Sequence, residues 1–291
     1  MNLSSINILH IDLGRRTFTS KSYPELRKYI GGVGLASKLV LDHLDTLPVV
    51  FSTGPLNGLF PFASKTCAGY IQNNRFVDCY GGGRLSTRIN LSGYDAVIFD
   101  GVSIEPLSIV VNEKEVSFVS FEINPETLGV PGRKSLVSAT NQGVQVDKYF
   151  YFGDKALAER LKEKGVYNFV ISATNDTALP NKEKYEKMYY EVLGMVNKML
   201  IAPGNHPSCS GCPMGCEKSH EGEVGGSVLV HSLVGCGYAE MIYSSVSLVF
   251  GCLNSLGYDY VHEDLEALSN LVYSNINEIN EKLSNSQLER K

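Results

Sequence analysis

Cys209, Cys212 and Cys216 stand in the segment CSGCPMGC, residues 209–216, at C-x2-C-x3-C spacing. Thiolates are soft ligands and suit zinc or an iron–sulfur cluster. Pro213 fixes φ and Gly215 permits a positive φ, so a tight loop here can turn three sulfurs toward one centre. Several familiar arrangements do not fit. A thioredoxin-like redox site needs only C-x-x-C beside a βαβ unit. Bacterial ferredoxins run C-x2-C-x2-C-x3-C-P. A four-ligand zinc site shows two separated pairs, and this chain has no second C-x-x-C. Two readings stay open: an iron–sulfur cluster, or a zinc ion that pins the loop with His220 or His206 as fourth ligand. A fourth ligand to a cluster could be Cys236 or Cys252. Both fall in a stretch that reads as one helix, about four and a half turns apart, so only one of them reaches the loop. A partner chain could supply it instead, or one iron could stay open to a small molecule.

Other residues capable of chemistry carry less. Cys67 and Cys79 read as small buried apolar residues. His43 and His262 read as ordinary surface or satisfied polar groups. Glu221 and Glu223 read as acids of a solvated loop, and Glu240 and Glu263 as surface charges. Gly81, Gly82 and Gly83 would let backbone N–H groups approach a phosphate or a pterin, or would simply form a flexible turn. Gly31-Gly32-Val33-Gly34 does not follow a strand of a βαβ unit, which excludes a dinucleotide fingerprint. No Ser/His/Asp order or Cys–His pair emerges, and no catalytic residue is assigned.

The elements that must position these groups read as α+β. Ile6–Leu13 alternates apolar and polar residues, and Thr17–Lys21 returns as its hairpin partner. Pro24–Tyr29 and Leu35–Leu44 have helical spacing on either side of Gly31-Gly32. Strands are expected at Val49–Ser52, Cys67–Gln72, Ala96–Phe99, Leu107–Asn112, Glu115–Phe121, Tyr149–Phe152 and Asn168–Ser172. Helices are expected over Lys155–Lys164 and Lys182–Met199, and, after a boundary near residues 200–208, over Ser232–Cys252 and Glu263–Leu283. This gives a β-rich N-terminal domain over 1–203, a small mainly helical domain with the cysteine loop over 204–283, and a frayed tail over 284–291.

The chain has 291 residues, 43% of them hydrophobic, and a formal net charge of −5. That supports a sizeable core. The absence of a dense basic run argues against nucleic acid as a partner. The first residues lack a basic and then apolar signal pattern, and the longest apolar run is too short for a bilayer, so no membrane association and a cytoplasmic location are expected. Seven cysteines, three within eight residues, favour metal or redox use over a disulfide scaffold.

Several segments together resemble the aldehyde ferredoxin oxidoreductase family. They are GGVGLA (31–36), TGPLNG (53–58), YGGGRLSTRINLSGYDAVIFDG (80–101), CSGCPMGC, HSLVGCGYAEM and LGYD, in the family's order. The resemblance implies a β-rich base beneath a tungsten or molybdenum centre held by two pterins (a molybdopterin-type cofactor), beside a 4Fe-4S cluster. It implies oxidation of an aldehyde to a carboxylic acid, with single electrons passed through the cluster to a ferredoxin-like carrier. Cys209, Cys212 and Cys216 fall on the cluster loop, with Cys236 as the local candidate for the fourth ligand. Lys65 falls where the family has a pterin-binding arginine. Asn254 and Asp259 fall at the ends of its D-x-x-G-L-D pterin motif, with Asn254 replacing the first acid. Gly81–Gly83 fall on its glycine-rich stretch. The family's G-R-G-G-x-G run is replaced by AERLKEKG (158–165), and the acidic run after the cysteines by GGSVLVH (225–231). The chain covers the family's first domain and part of the second. The resemblance therefore implies an oxidoreductase that is incomplete alone and is completed by a second chain. The alternative is a non-catalytic paralogue that binds a cofactor, a metal or a partner, with a structural cluster or zinc.

Overall fold

The computed structural model describes residues 3–113 and 115–288. Lys114, expected in a tight turn, lies outside them. The chain opens with strands β1 (Ile6–Asp12) and β2 (Thr17–Tyr23), helix α1 (Gly32–Asp42), and strands β3 (Val49–Ser52), β4 (Thr66–Gln72) and β5 (Arg75–Gly81). Helix α2 (Leu85–Leu91), β6 (Ala96–Asp100), β7 (Leu107–Asn112), β8 (Glu115–Ser120), β9 (Lys134–Ala139), β10 (Val144–Val146) and β11 (Phe150–Tyr151) follow. Then come α3 (Ala156–Glu163), β12 (Val166–Ser172), α4 (Lys182–Leu193), α5 (Lys218–Glu221), β13 (Glu223–Val224) and α6 (Val228–Leu233). The last helices are α7 (Glu240–Tyr243), α8 (Val246–Ser255) and α9 (His262–Leu288).

Two mixed sheets result. The first has the order β13-β5-β4-β3-β6-β1-β2, and the second β11-β10-β9-β12-β7-β8. One pair in each is parallel, β1 with β6 and β7 with β12. The sheets pack face to face because side chains alternate along a strand. Leu9 and Ile11 of β1 and Val97 and Phe99 of β6 join Ile109, Val137, Phe169 and Ile171 of the second sheet in one core. The other face of the first sheet, with Ile8, Val50, Ile71 and Ile98, packs on α1, α6, α8 and α9. The fold is thus a second sheet, a first sheet and a helical layer, the expected α+β architecture.

Most of the expected elements form, and the departures have local causes. The expected helix Ser232–Cys252 is broken into α6, a 3-10 turn at Gly237–Ala239, α7 and α8. Gly235 has a φ of +67°, which ends α6 and removes Cys236 from any helix. The helix expected to end at Met199 stops at Leu193, before Gly194, and a 3-10 turn covers Val196–Lys198. Helix α9 runs on to Leu288, through part of the segment expected to fray. The hairpin β4–β5 was legible but unread: Asn73 and Asn74 form its turn, both with positive φ, as two-residue hairpins prefer.

The glycines before α1 serve packing. Gly32 has a φ of +46°, and a Cβ there would overlap the carbonyl oxygen of His231. Two distant segments meet backbone to backbone at this point. Gly32→Ala is expected to cost at least about 2 kcal/mol from the positive φ and the overlap together. Thermal melting should fall by roughly 2–4 °C per kcal/mol. An unchanged melting temperature would show that the close approach is not needed.

Candidate metal centre

The cysteine loop lies where the two cores meet. Cys209 belongs to the core between the sheets, Met214 to the helix-side core, and Cys212 packs against both. A network of hydrogen bonds holds the irregular backbone. Gly204 N–H donates to Met214 O at 2.9 Å and His206 N–H to Gly215 O at 2.9 Å, which clips the loop's two ends together. Gly215 N–H donates to Ser208 Oγ at 3.0 Å. Ser210 N–H reaches Gly83 O at 3.0 Å, and Thr87 Oγ1 donates to Ser210 Oγ at 2.9 Å, tying the loop to the end of β5 and to α2. A Cβ on Gly82 would stand 2.5 Å from Cys209 Sγ, so the absent side chain is what lets the thiol seat there.

Cys236 shares this neighbourhood. The thiols act on one another electrostatically: Cys209 with Cys216, Cys212 with both, and Cys236 with Cys212 and Cys209. Cys209 and Cys236 are buried, and Cys212 and Cys216 partly exposed. Burial pushes the Cys209 and Cys236 thiols up and the Cys212 thiol up to about 12. A bound metal has to displace those protons. Cys252 stands apart in the helix-side core, with Glu191 as its charged neighbour. Cys67 and Cys79 are buried within the first sheet, in agreement with their reading as core residues. The two histidines considered as zinc ligands are engaged elsewhere. His206 Nδ1 shares a 2.9 Å hydrogen bond with Tyr149 Oη, and His220 packs against the rings of Tyr149 and Tyr151.

Lys65 is the fixed charge of the centre. Its side chain is 2% exposed and pairs with Glu223, itself 10% exposed. Its ammonium also reaches Lys218 O at 3.5 Å and lies 5.5 Å from the centre of the Tyr238 ring. Burial works to lower the Lys65 pKa, but Cys236 and Glu223 outweigh it and push it up. Cys236 is a thiol at neutral pH, so Glu223 is the charge that holds Lys65 protonated. Burial acts to raise Glu223, yet Lys65, His231 and the Gly237 N–H bring it down to about 2. Glu223 is therefore not the solvated loop acid expected from the sequence. It begins β13, which adds to the edge of the first sheet beside Tyr80, and it accepts from Gly237 N–H at 2.7 Å. His231, which the sequence did not single out, is 1% exposed, packs on Tyr80, and brings Nε2 to 3.4 Å from Glu223 Oε2. Its Nδ1 lies 3.0 Å from Ser227 O, and a carbonyl only accepts, so Nδ1 carries a hydrogen.

The remaining expected positions divide. Gly81 bridges to Phe152, while Gly82 and Gly83 pack against Cys209, Val146 and Phe150. They therefore belong to the cysteine centre. Asn254 is exposed on α8, and exposed Asp259 pairs with Arg27 after β2. Neither is among the charged neighbours of Lys65. A cleft of about 350 Å³ opens beside the Lys65–Glu223 pair, lined by Glu223, Gly226, His231 and Tyr238. Exposed Leu200 and Val224 form part of its wall, and exposed Met241 follows Glu240 at its rim.

Residues 8–134 match the family described as aldehyde ferredoxin oxidoreductase, N-terminal domain. Those residues, fewer than half of the chain, are similar to that domain. The matched stretch includes most of β1 and all of β2 to β8, and with them Lys65 and the glycines under the cysteine loop. The fold of the chain is similar to that of the active site complex BamBC of benzoyl coenzyme A reductase in complex with 1,5 dienoyl-CoA. The TM-score is 0.62 at 15% identity, covering 96% of this chain and 64% of that one. The chain thus spans less than two thirds of that structure's length. No curated protein matches. Among the described residues no helix is long and apolar enough to cross a membrane.

Proposed function

We infer that this chain is an iron–sulfur redox component of the aldehyde ferredoxin oxidoreductase type, with Cys209, Cys212, Cys216 and Cys236 as ligands of a 4Fe-4S cluster. The observation that carries this reading is the grouping of these four thiols with one another, three of them (Cys209, Cys212 and Cys236) also beside the buried ammonium of Lys65. Zinc would draw its sulfurs to roughly 3.8 Å of one another, from Zn–S bonds of ~2.3 Å. Among the described residues no three of the thiols lie within 4.8 Å. A bound zinc would therefore need the sulfurs to draw together.

When bound, such a cluster stores and passes single electrons. The chain's own residues hold and tune it. Gly82 makes room for Cys209, the backbone clip fixes the loop, and the buried Lys65–Glu223 pair sets the polarity beside it. The residues carried over for a tungsten or molybdenum pterin do not fit that group by themselves. Lys65 is spent on Glu223 and Asp259 on Arg27. Aldehyde oxidation, the reaction of the family, would accordingly need pterin-binding groups beyond these residues. The apolar rim of Leu200, Val224 and Met241 suits a partner closing over the cleft, and a ferredoxin-like protein is the matching electron acceptor. The same two ion pairs favour the second reading, a non-catalytic paralogue that keeps a structural cluster or zinc. In either reading the protein works in the cytoplasm.

Purification without oxygen, with iron, sulfide, zinc, tungsten and molybdenum counted per chain, tests this. About four irons with broad absorbance near ~400 nm are expected. Tungsten or molybdenum alongside would select the complete enzyme. Zinc alone, without colour, would overturn the cluster.

A further inference from the structure

A second group of metal-binding side chains lies at the other end of the first sheet. His10, His43 and Asp100 each offer one ligand atom, and these atoms lie within 4.8 Å of one another. His10 Nε2 is 2.8 Å and His43 Nδ1 3.5 Å from the same Asp100 Oδ2. Tetrahedral zinc with bonds of ~2.0–2.1 Å sets its ligand atoms roughly 3.3 Å apart. The three atoms therefore need changes in separation of tenths of an ångström to at most about 1.5 Å, not a rearrangement. The imidazoles are tilted by 39° with centroids 4.8 Å apart, so they converge on Oδ2 rather than stack.

The fold holds each ligand on a different element. The alternation that sends Leu9 and Ile11 into the core between the sheets sends Ile8 and His10 to the helical face. The same alternation in β6 places Ile98 and Asp100 there. The parallel register sets His10 beside Ile98, so Asp100 lies diagonally across. His43 is the C-cap of α1, its N–H donating to Leu39 O at 3.2 Å, and α1 lies over this face. Gly101 N–H donates to Asp100 Oδ1 at 2.8 Å, while Oδ2 faces the imidazoles. Three ligands on a helix end and two adjacent strands are preorganised.

We propose that His10, His43 and Asp100 form a second metal site, taking a divalent transition cation such as zinc through two imidazoles and one carboxylate, with water in the remaining position. This donor set is borderline rather than soft, and thus distinct in chemistry from the cysteine centre. It is also distinct in place: β4, β3 and β6 separate β1 from β5 in the sheet. Entry is open, since the histidines are 30% and 32% exposed beside a cleft of about 300 Å³ that Tyr23, Glu25 and Lys38 also line. The charges facing the site set its strength. Lys38 is neutralised by Asp42. Lys164 donates to Thr46 O at 3.2 Å and Gly101 O at 3.0 Å, and its ammonium opposes a second cation near Asp100. The bound ion would clip the end of α1 to the sheet.

Cobalt(II) is the probe, because its spectrum tells imidazole from thiolate. Anaerobic titration of the whole protein should show one equivalent with weak visible d–d bands and no thiolate charge-transfer band, displaced by zinc. His43→Ala and Asp100→Asn should each lose that equivalent at least tenfold in affinity, while Cys212→Ala keeps it. Melting without metal checks that each variant folds, and Asp100→Asn, which keeps its shape, serves if His43→Ala does not. Cobalt bound only with a thiolate band, or bound equally by the folded variants, would overturn the site and leave His10–Asp100–His43 a hydrogen-bonded cluster.

Discussion

Replacing Glu223 by Ala should destabilise the protein by about 3–5 kcal/mol, the cost of leaving one member of a buried ion pair alone. Lys65 would remain 2% exposed with its carboxylate gone, and Gly237 N–H would lose its acceptor. An independent route gives a similar size. A carboxyl brought from its ordinary 4.5 to about 2 corresponds to ~3 kcal/mol of stabilisation. The sign follows from the direction of that shift. The folded protein holds the carboxylate more strongly than the unfolded chain, so the contribution is complete above pH 4.5. It is lost as pH falls through the folded value of about 2. Lys65 is shifted upward, so its own contribution is lost only on the alkaline side, above about 10.5. Within the pair the acid limb therefore reports Glu223; Asp100, held below the carboxylate range by its hydrogen bonds despite burial, contributes to that limb equally in parent and variant. Urea unfolding at pH 7 and at descending pH checks both points. Glu223→Ala should unfold at lower urea and show a flatter acid limb. Lys65→Met/Glu223→Leu should recover much of the loss, because an apolar pair avoids the desolvation of two charges. A single variant as stable as the parent would show that the pair is open to water.

Cys212→Ala should remove nearly all cluster iron, because Cys212 is the thiol that packs against both cores and acts on Cys209 and Cys216. Cys236→Ser should lower iron retention several-fold and change the spectrum, since an alkoxide is a harder ligand than a thiolate. Cys252→Ser is the control. It is equally buried but lies beside Glu191, away from the loop, and should keep the full complement. Iron and sulfide per chain, measured after anaerobic reconstitution and desalting, separate the three. Full iron in Cys236→Ser together with loss in Cys252→Ser would falsify the assignment of the fourth ligand. Full iron in both would move that ligand to a partner chain.

What could be read from residues was local or periodic. The alternation of Ile6–Asp12 gives β1, and the turn after it gives the hairpin with β2. The short apolar run Val49–Ser52 gives β3. The spacing C-x2-C-x3-C names the soft-ligand chemistry because a loop can aim such neighbours at one point. Motif order marked the N-terminal domain. Each of these rests on contacts within a few residues or on a period of the backbone itself.

What needed the tertiary structure was every pairing across long separations. Lys65 and Glu223 lie 158 positions apart, and an acid in a glycine-rich loop carries no local sign that it will be buried against a lysine. Gly235 ends α6 because Lys65 O crosses there, so Cys236 leaves the helix and joins the loop cysteines for a reason outside its own segment. His10, His43 and Asp100 are each unremarkable in sequence, and they meet only because a parallel strand pair and a helix end share one face. The sequence by itself determined most of the elements, the close spacing of the loop cysteines and the likeness of the N-terminal part, since propensity and spacing act along the chain. Which charges are buried, which further cysteine comes near the loop and which histidines converge were decided by packing, since those depend on the free energy of surfaces that come together only in the folded molecule.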